Sequence, residues 1–431
     1  DAQKVIEKKL SEGKVGEVYE KIELPLMPVI KKMEDCGVLI DTKYLAGLSK
    51  DYHKKLDALE KKIWDMTGQE FNINSPKQLS EVLFEKLKLG AGSKAKSGKS
   101  GVRSTKESEL EKLREESPVI ELILEYRELQ KLLSTYIDAI PERLDVHNRL
   151  HAKFVQTGTP TGRISSQAPN MQNIPIKTEL GRNIRHAFIA GEEFSLAALD
   201  YSQIELSIAA FLSRDQVLID IFKSGGDVHA GVASRVFGVP EDKVDREMRR
   251  RAKVINFGII YGMGINALRA NLGTSRDEAK QFYDAYFQNF SALSQYLEDT
   301  KALAAKQGYT ETFFGRRRYF PGMRSKLPFI RAASERMAIN APIQGTGADI
   351  MKLAMIHVDE YLEKNGFAED AHLILTVHDE LVYEIRDSKV AELVPQIRKI
   401  MESVLTPDHM LGVPLKVEAE VGKNWGEMEE V

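Results

Sequence analysis

The sequence holds one cysteine, Cys36, and two tryptophans among its 431 residues. A single cysteine excludes an intramolecular disulfide and any cysteine-built zinc site. No apolar run approaches the roughly 18 residues that a membrane-crossing helix needs. Nor does a basic-then-apolar leader with a small-residue cleavage site open the chain. A cytoplasmic setting away from membranes is therefore expected. Neither sign of charge is in excess: 61 Lys and Arg stand against 64 Asp and Glu, a net charge of −3. A strongly basic balance, the usual footprint of a polyanion-binding protein, is missing. The chain opens on Asp1 rather than Met, as a piece of something longer would.

What is present is a long chain of ordinary globular composition, 42% hydrophobic and 29% charged. That length predicts two or three domains rather than one core. The cations are grouped. Lys94, Lys96, Lys99, Arg103 and Lys106 lie in a stretch without acids; Arg246, Arg249, Arg250, Arg251 and Lys253 form a second group; Arg316, Arg317, Arg318, Arg324 and Lys326 form a third. Local patches of this kind bind phosphates even on a slightly acidic molecule, although each also suits a solvated face.

Along the chain, residues 1 to about 35 read as amphipathic helix. A long helix is expected from Tyr44 to Thr67, with Leu45, Leu48, Leu56, Leu59 and Ile63 at helical spacing. Pro76 suits the first turn of another helix. The stretch Gly90 to Gly101 reads as a flexible basic tip between helical arms, as in a clamp along a polyanion. From Arg149 to Pro175 the chain turns polar and strand-like, rich in side chains that reach phosphates and base edges. Helix dominates from Ile204 to residue 364, with an interruption expected at Pro342 to Asp349. Strand, helix and strand close the chain.

Two stretches carry chemistry. Leu196 to Leu199 predict a buried strand with Asp200 at its end. His372 to Ile385 predict a hairpin with His378, Asp379 and Glu380 at its tip. Side by side, these strands would bring Asp200 and Asp379 together, and like charges that close call for divalent cations between them. A two-metal phosphoryl-transfer site is the outline. Arg249, Lys253, Phe257 and Tyr261, spaced by four, form one helical stripe. Its cations would meet phosphates and its aromatics a base and sugar. A helix starting near Met248 would also set those cations against the macrodipole, which favours anions there.

Asp200-Tyr201-Ser202-Gln203-Ile204-Glu205-Leu206, Arg249 to Lys253 with Asn256-Phe257-Gly258 and Tyr261-Gly262, and Val377-His378-Asp379-Glu380 resemble the three polymerase motifs of family A DNA polymerases. Thr161-Gly162-Arg163 to Ser166, Gln172 to Pro175, Phe314 to Arg318 and Gln344 to Asp349 agree with them. The likeness runs in order over nearly the whole chain, to the polymerase portion of bacterial members, the large-fragment type without exonuclease domains.

The resemblance implies an α+β right hand with a small, mainly antiparallel palm sheet and large helical thumb and fingers. Its divisions would be 1–35 (start of palm), 36–145 (thumb), 146–205 (palm), 206–365 (fingers) and 366–431 (rest of palm). It implies two Mg²⁺, replaceable by Mn²⁺, on Asp200, Asp379 and the Tyr201 carbonyl, with Glu380 in support. Arg249, Lys253 and His229 would grip the triphosphate of a dNTP, with Lys253 protonating the leaving pyrophosphate. Phe257 would stack on the nucleotide, Tyr261 would hold the template base's place, Glu205 would reject a 2′-hydroxyl, and Gln203 would border the dNTP. Primer-template DNA would meet Arg163, Asn170, Gln172, Asn173, Arg336, Asn340, Gln344 and His378. The implied protein is a monomer, and neither exonuclease activity is expected in this chain. Arg251 and Gly347 receive no role. A single-subunit RNA polymerase, a metal-dependent nuclease and a non-catalytic clamp stand as alternatives. The first would need a small residue at Glu205; the second would not need the stripe; the third would not need paired aspartates.

Overall fold

The computed structural model describes residues 2–90, 103–175 and 178–431. Nearly all of the expected basic tip, Lys94, Lys96 and Lys99 included, lies outside the described residues.

The frame is an antiparallel sheet built from segments far apart in sequence. In chain order its strands are β1 (Val38–Ile40), β2 (Arg149–Leu150), β3 (Phe188–Ile189), β4 (Phe194–Ser202), β5 (Ala371–Val377), β6 (Glu380–Arg386), β7 (Lys416–Asn424) and β8 (Glu427–Glu430). Their order across the sheet is β2-β1-β3-β7-β4-β6-β5, with β8 on β7. β4 sits between β7 and β6, and Leu196, Ala197 and Leu199 are fully buried. This explains the unbroken apolar run: successive side chains point to opposite faces, and residues 195–199 are buried on both.

The strand differs from expectation at its end. Asp200 is not its last residue; β4 continues to Ser202, because β7 pairs with it as far as Lys416↔Ser202. On the other side the pairing stops at Glu380↔Asp200. Asp200 is thus the last position held from both sides, and its side chain reaches solvent.

Helices flank the sheet. α1 (Leu24–Cys36) and α2 (Thr42–Thr67) come first, then α3 (Val119–Leu132). Asp41 caps α2, its carboxylate accepting from Lys43 N at 3.0 Å and Tyr44 N at 2.9 Å. Gly68, at φ 67°, closes it in the left-handed region. The predicted stripe faces α3: Leu45, Leu56, Leu59 and Ile63 are buried, Leu48 half-buried. After β4 come α4 (Ile204–Ser213), α5 (Val228–Phe237), α6 (Arg246–Ile260), α7 (Arg276–Asn289), α8 (Ser291–Gln307) and α9 (Pro328–Lys364). α10 (Val390–Glu402) covers the inner face of the sheet, where the Tyr201 hydroxyl donates to the Met401 carbonyl at 2.7 Å.

The interruption expected at Pro342 to Asp349 does not occur, since α9 runs unbroken for 37 residues. Its glycines serve close packing instead. A Cβ on Gly345 would lie 2.5 Å from the Thr312 methyl, and one on Gly347 would touch Ile208 at 3.4 Å. Burial along this stretch outweighs a helix penalty of about 1 kcal/mol per glycine. Among the described residues no helix is long and apolar enough to cross a membrane.

Candidate functional site

The site gathers where the open ends of β4 and β6 meet α4 and α6. Cross-strand pairing places Glu380 on one side of Asp200 and Glu418 on the other, all on one face. Asp379 occupies the turn between β5 and β6, and its carbonyl accepts from Tyr201 N at 3.1 Å. The pKa of Asp200 is pushed up to about 7, first by surrounding protein that strips its water, then by Glu380, Asp379, Glu418 and Glu420. The side chain still opens to solvent, so the massed carboxylates, rather than enclosure, are the part a ligand can relieve. Glu380 is also pushed up by burial, although the Trp425 indole, donating at 2.8 Å, and Arg185 oppose this. Arg185 lies 3.8 Å over the Trp425 ring.

Among the described residues no group of three or more His, Cys, Asp or Glu side chains is arranged to hold a metal ion. Asp200 and Asp379 are nevertheless hard oxygen donors among crowded carboxylates, and they fit Mg²⁺ or Mn²⁺.

One guanidinium joins the carboxylates to the helical stripe. Arg163 Nη2 donates to Asp379 Oδ1 at 3.2 Å and to Glu205 Oε1 at 3.0 Å. Glu205 Oε2 accepts from the Tyr261 hydroxyl at 2.7 Å. Burial raises the pKa of Glu205, against the pull of Tyr261 and Arg163. Burial and the neighbouring Glu205 carboxylate push the Tyr261 phenol well up.

On α6 the stripe forms as expected, with Phe257 and Tyr261 stacked 6.4 Å apart at 19°. The macrodipole conflict does not. The helix starts at Arg246, Asp245 caps it by accepting from Met248 N at 2.8 Å, and Glu247 adds a charge in the first turn. Glu247 holds Arg250 and Arg251. Arg251 reaches on to Glu278 of α7 at 2.8 Å, so its role is to tie two helices together. Arg249 pairs with Asp227, the cap of α5, at 2.6 Å. Lys253 is exposed and makes no ion pair among the described residues.

His229 lies in the first turn of α5. It is 1% exposed, and burial, with Lys253 and Arg249 nearby and Asp227 opposing, pushes its pKa down to about 4. Asn256 Nδ2 lies 3.1 Å from its Nδ1 and donates there, which leaves the proton on Nε2. At neutral pH it is therefore an uncharged imidazole, packed 5.8 Å from the Phe257 ring.

The expected DNA-facing residues divide. Arg336, Asn340 and Gln344 follow one face of α9 (Arg336 exposed, the others half-buried), and Asn340 Oδ1 has no hydrogen-bond partner among the described residues. Arg336 packs on Gly262, where an added Cβ would lie 3.1 Å from its Cα. Gln172 is tied down instead, its amide donating to the Ile164 carbonyl at 2.9 Å and the Thr376 carbonyl at 3.5 Å. Asn170 caps Gln172 N at 3.1 Å, while Asn173 and His378 are exposed. Gln203, at φ 56°, turns the chain from β4 into α4, and its Oε1 lacks a hydrogen-bond partner among the described residues.

Sequence reasoning missed Arg185, Trp425 and Glu418. Only Glu418 left a signal: alternation in Lys416-Val417-Glu418-Ala419-Glu420 puts it on the Asp200 face once the register is known.

Comparison with known proteins places the whole chain. The model of DNA polymerase family A matches residues 42–427. DNA polymerase I of Pseudomonas aeruginosa is 46% identical over 96% of this chain, which spans 44% of that protein. The thermostable DNA polymerase I of Thermus aquaticus is 46% identical over 95% of the chain and 48% of its own length. The chain thus spans about half the length of these curated relatives. A solved structure described as the POL domain of Pol1 from M. smegmatis in complex with DNA primer-template and dNTP is 38% identical. It superposes with a TM-score of 0.90 over 97% of this chain and 72% of that one.

Proposed function

Because the chain belongs to DNA polymerase family A, we propose that it performs template-directed DNA synthesis, adding dNMP from a dNTP to a primer 3′-hydroxyl and releasing pyrophosphate. The observation that carries this reading is the contact chain Asp379–Arg163–Glu205–Tyr261, which couples the carboxylate turn to the phosphate-and-base stripe of α6. A nuclease needs the carboxylates but not this coupling.

In this reading Asp200 and Asp379, with the Tyr201 carbonyl, hold two Mg²⁺ or Mn²⁺, and Glu380, steadied by Trp425, supports them. Bound divalent cations supply Lewis-acid charge at the primer hydroxyl and the departing pyrophosphate. Arg249 and Lys253 bind the triphosphate, and Lys253 gives a proton to the leaving oxygen. Phe257, backed by His229, stacks on the incoming nucleotide. Tyr261 stands in for the template base until α6 rotates closed. Glu205 occupies the space beside the sugar and rejects a 2′-hydroxyl, with Gln203 at the border. Arg163, Arg336, Asn340 and Gln344 reach minor-groove acceptors, which are nearly common to all base pairs, so they test shape without reading sequence. Asn170, Gln172, Asn173 and His378 shape the DNA path. Residues 36–145 act as thumb, 206–365 as fingers, and the sheet segments as palm.

Extension of a labelled primer on a DNA template with dNTPs and Mg²⁺, beside Asp379→Asn, tests this. Extension by the parent alone is expected. Extension by both would show the catalytic carboxylate to be misplaced, and DNA binding without extension by either would make the chain a clamp.

A further inference from the structure

The third arginine cluster is not uniform. Arg317 pairs with Glu311 at 2.7 Å and lies over the Tyr309 ring, and Arg318 lies over Phe320. Arg316 reaches instead to α9 and to Glu23, carboxylates far away in sequence. Its Nε donates to Asp349 Oδ1 at 2.7 Å, and its Nη2 contacts the carboxylates of both Asp349 and Glu23. Glu23 also accepts from Lys352 Nζ at 2.7 Å, and Thr312 donates to Asp349 Oδ2 at 2.7 Å. Two cations and two anions from three distant segments close on one another, with Asp349 and Lys352 almost fully buried.

This network presses on one particular backbone. Gly162 has φ +85°, and a Cβ there would lie 2.8 Å from Arg316 Cδ and Nε. The side chain of Arg316 therefore lies flat against Gly162, in a place only glycine can offer. On the same loop the Thr161 carbonyl would be 3.3 Å from a Cβ on Gly345 of α9. The Thr159 hydroxyl donates to the Arg163 carbonyl at 2.9 Å. The residue after Gly162 is Arg163, whose single Nη2 spans Glu205 and Asp379, carboxylates on two different elements. A long side chain bridging two fixed points needs a fixed root.

We propose that Arg316 is a positioning residue for Arg163, acting through the backbone of Gly162. The inference rests on the polymerase reading of the site. A purely structural role for the ion network would give the same fold and the same burial but no coupling to Arg163, and this separates the two.

The test is a double-variant cycle in single-turnover primer extension by the whole chain. Arg316→Lys keeps the charge but loses the two-pronged contact and the flat face on Gly162. It is expected to slow the chemical step by about ten- to a hundredfold, the penalty of slight misplacement, with dNTP KM little changed. In an Arg163→Ala background (Arg163→Lys where signal is too low) the same substitution is expected to cost nothing further. Losses that multiply would overturn the proposal. If Arg316→Lys fails to fold, Arg316→Gln with Asp349→Asn removes both charges of the pair and enters the same cycle. A parent that extends while the losses multiply would sink this inference alone. A parent that does not extend would sink the polymerase reading and this inference with it.

Discussion

Asp200→Asn should make the chain more stable in the absence of divalent cations while removing its activity. The pKa of Asp200 rises from 3.8 to about 7 in the folded chain. An acid with the higher pKa when folded holds its proton more tightly there. Its cost is therefore absent below about pH 4, grows as pH rises, and is complete above about pH 7. Three pKa units correspond to about 4 kcal/mol at roughly 1.36 kcal/mol each. The side chain opens to solvent, so screening cuts this to the order of 1–2 kcal/mol. With a urea m value of roughly 3 kcal/mol per molar, that is a midpoint shift of about 0.3–0.6 M. Urea unfolding in chelator at about pH 5 and about pH 8 measures it. The parent should lose stability across that interval and Asp200→Asn should lose less. Added Mg²⁺ should restore the parent and leave the variant unmoved, since ligands stabilise only the state that binds them. Equal pH slopes in parent and variant would refute the electrostatic account of the site.

Glu205→Ala should admit ribonucleotides, read as a fall in dNTP-over-NTP preference; unaltered discrimination would remove Glu205 from that role. Phe257→Tyr is expected, by the family resemblance, to improve dideoxynucleotide use, and an unchanged termination ladder would count against Phe257 as a residue that meets the incoming nucleotide. Lys352→Met leaves Glu23 with Arg316 as its one ion-pair partner among the described residues, beside the Gln156 amide. It should cost about 3 kcal/mol or more, and a thermal midpoint equal to the parent's would show the network to be dispensable for stability.

The fold class was legible, and so was the meeting of Asp200 with the Asp379 turn, because each rests on a local signal. A central strand must be apolar, so Leu196 to Leu199 announce themselves, and a hairpin tip must be polar, so Asp379 does too. The stripe of α6 is likewise a matter of spacing. What stayed hidden depended on partners far away in sequence. Asp245 and Glu247 cancel the macrodipole conflict, and Glu278 explains Arg251; the first two are near but mute until the helix start is known. The glycines of α9 suggest a break by propensity, and only the neighbouring Thr312 and Ile208 show why they are small. That His229 is buried is likewise not written in its neighbours in sequence. Trp425 and Arg185 reach Glu380 across the sheet, through an order of strands that no local pattern encodes.

The geometry around Arg163 also governs how variants of the site must be read. Asp379 and Glu205 lean on the same nitrogen, at 3.2 and 3.0 Å, and Tyr261 leans on Glu205. Removing Glu205 frees that nitrogen for Asp379 alone, and so changes the charge at the carboxylate turn as well as the space beside the sugar. Removing Arg163 leaves Glu205 buried with only the Tyr261 hydroxyl, which raises the cost of its charge further. A slow Glu205→Ala enzyme therefore does not by itself assign chemistry to Glu205. A loss of rate that Arg163→Ala already contains belongs to the shared guanidinium. Only the part that persists in the Arg163→Ala background, together with the change in sugar preference, belongs to the carboxylate itself.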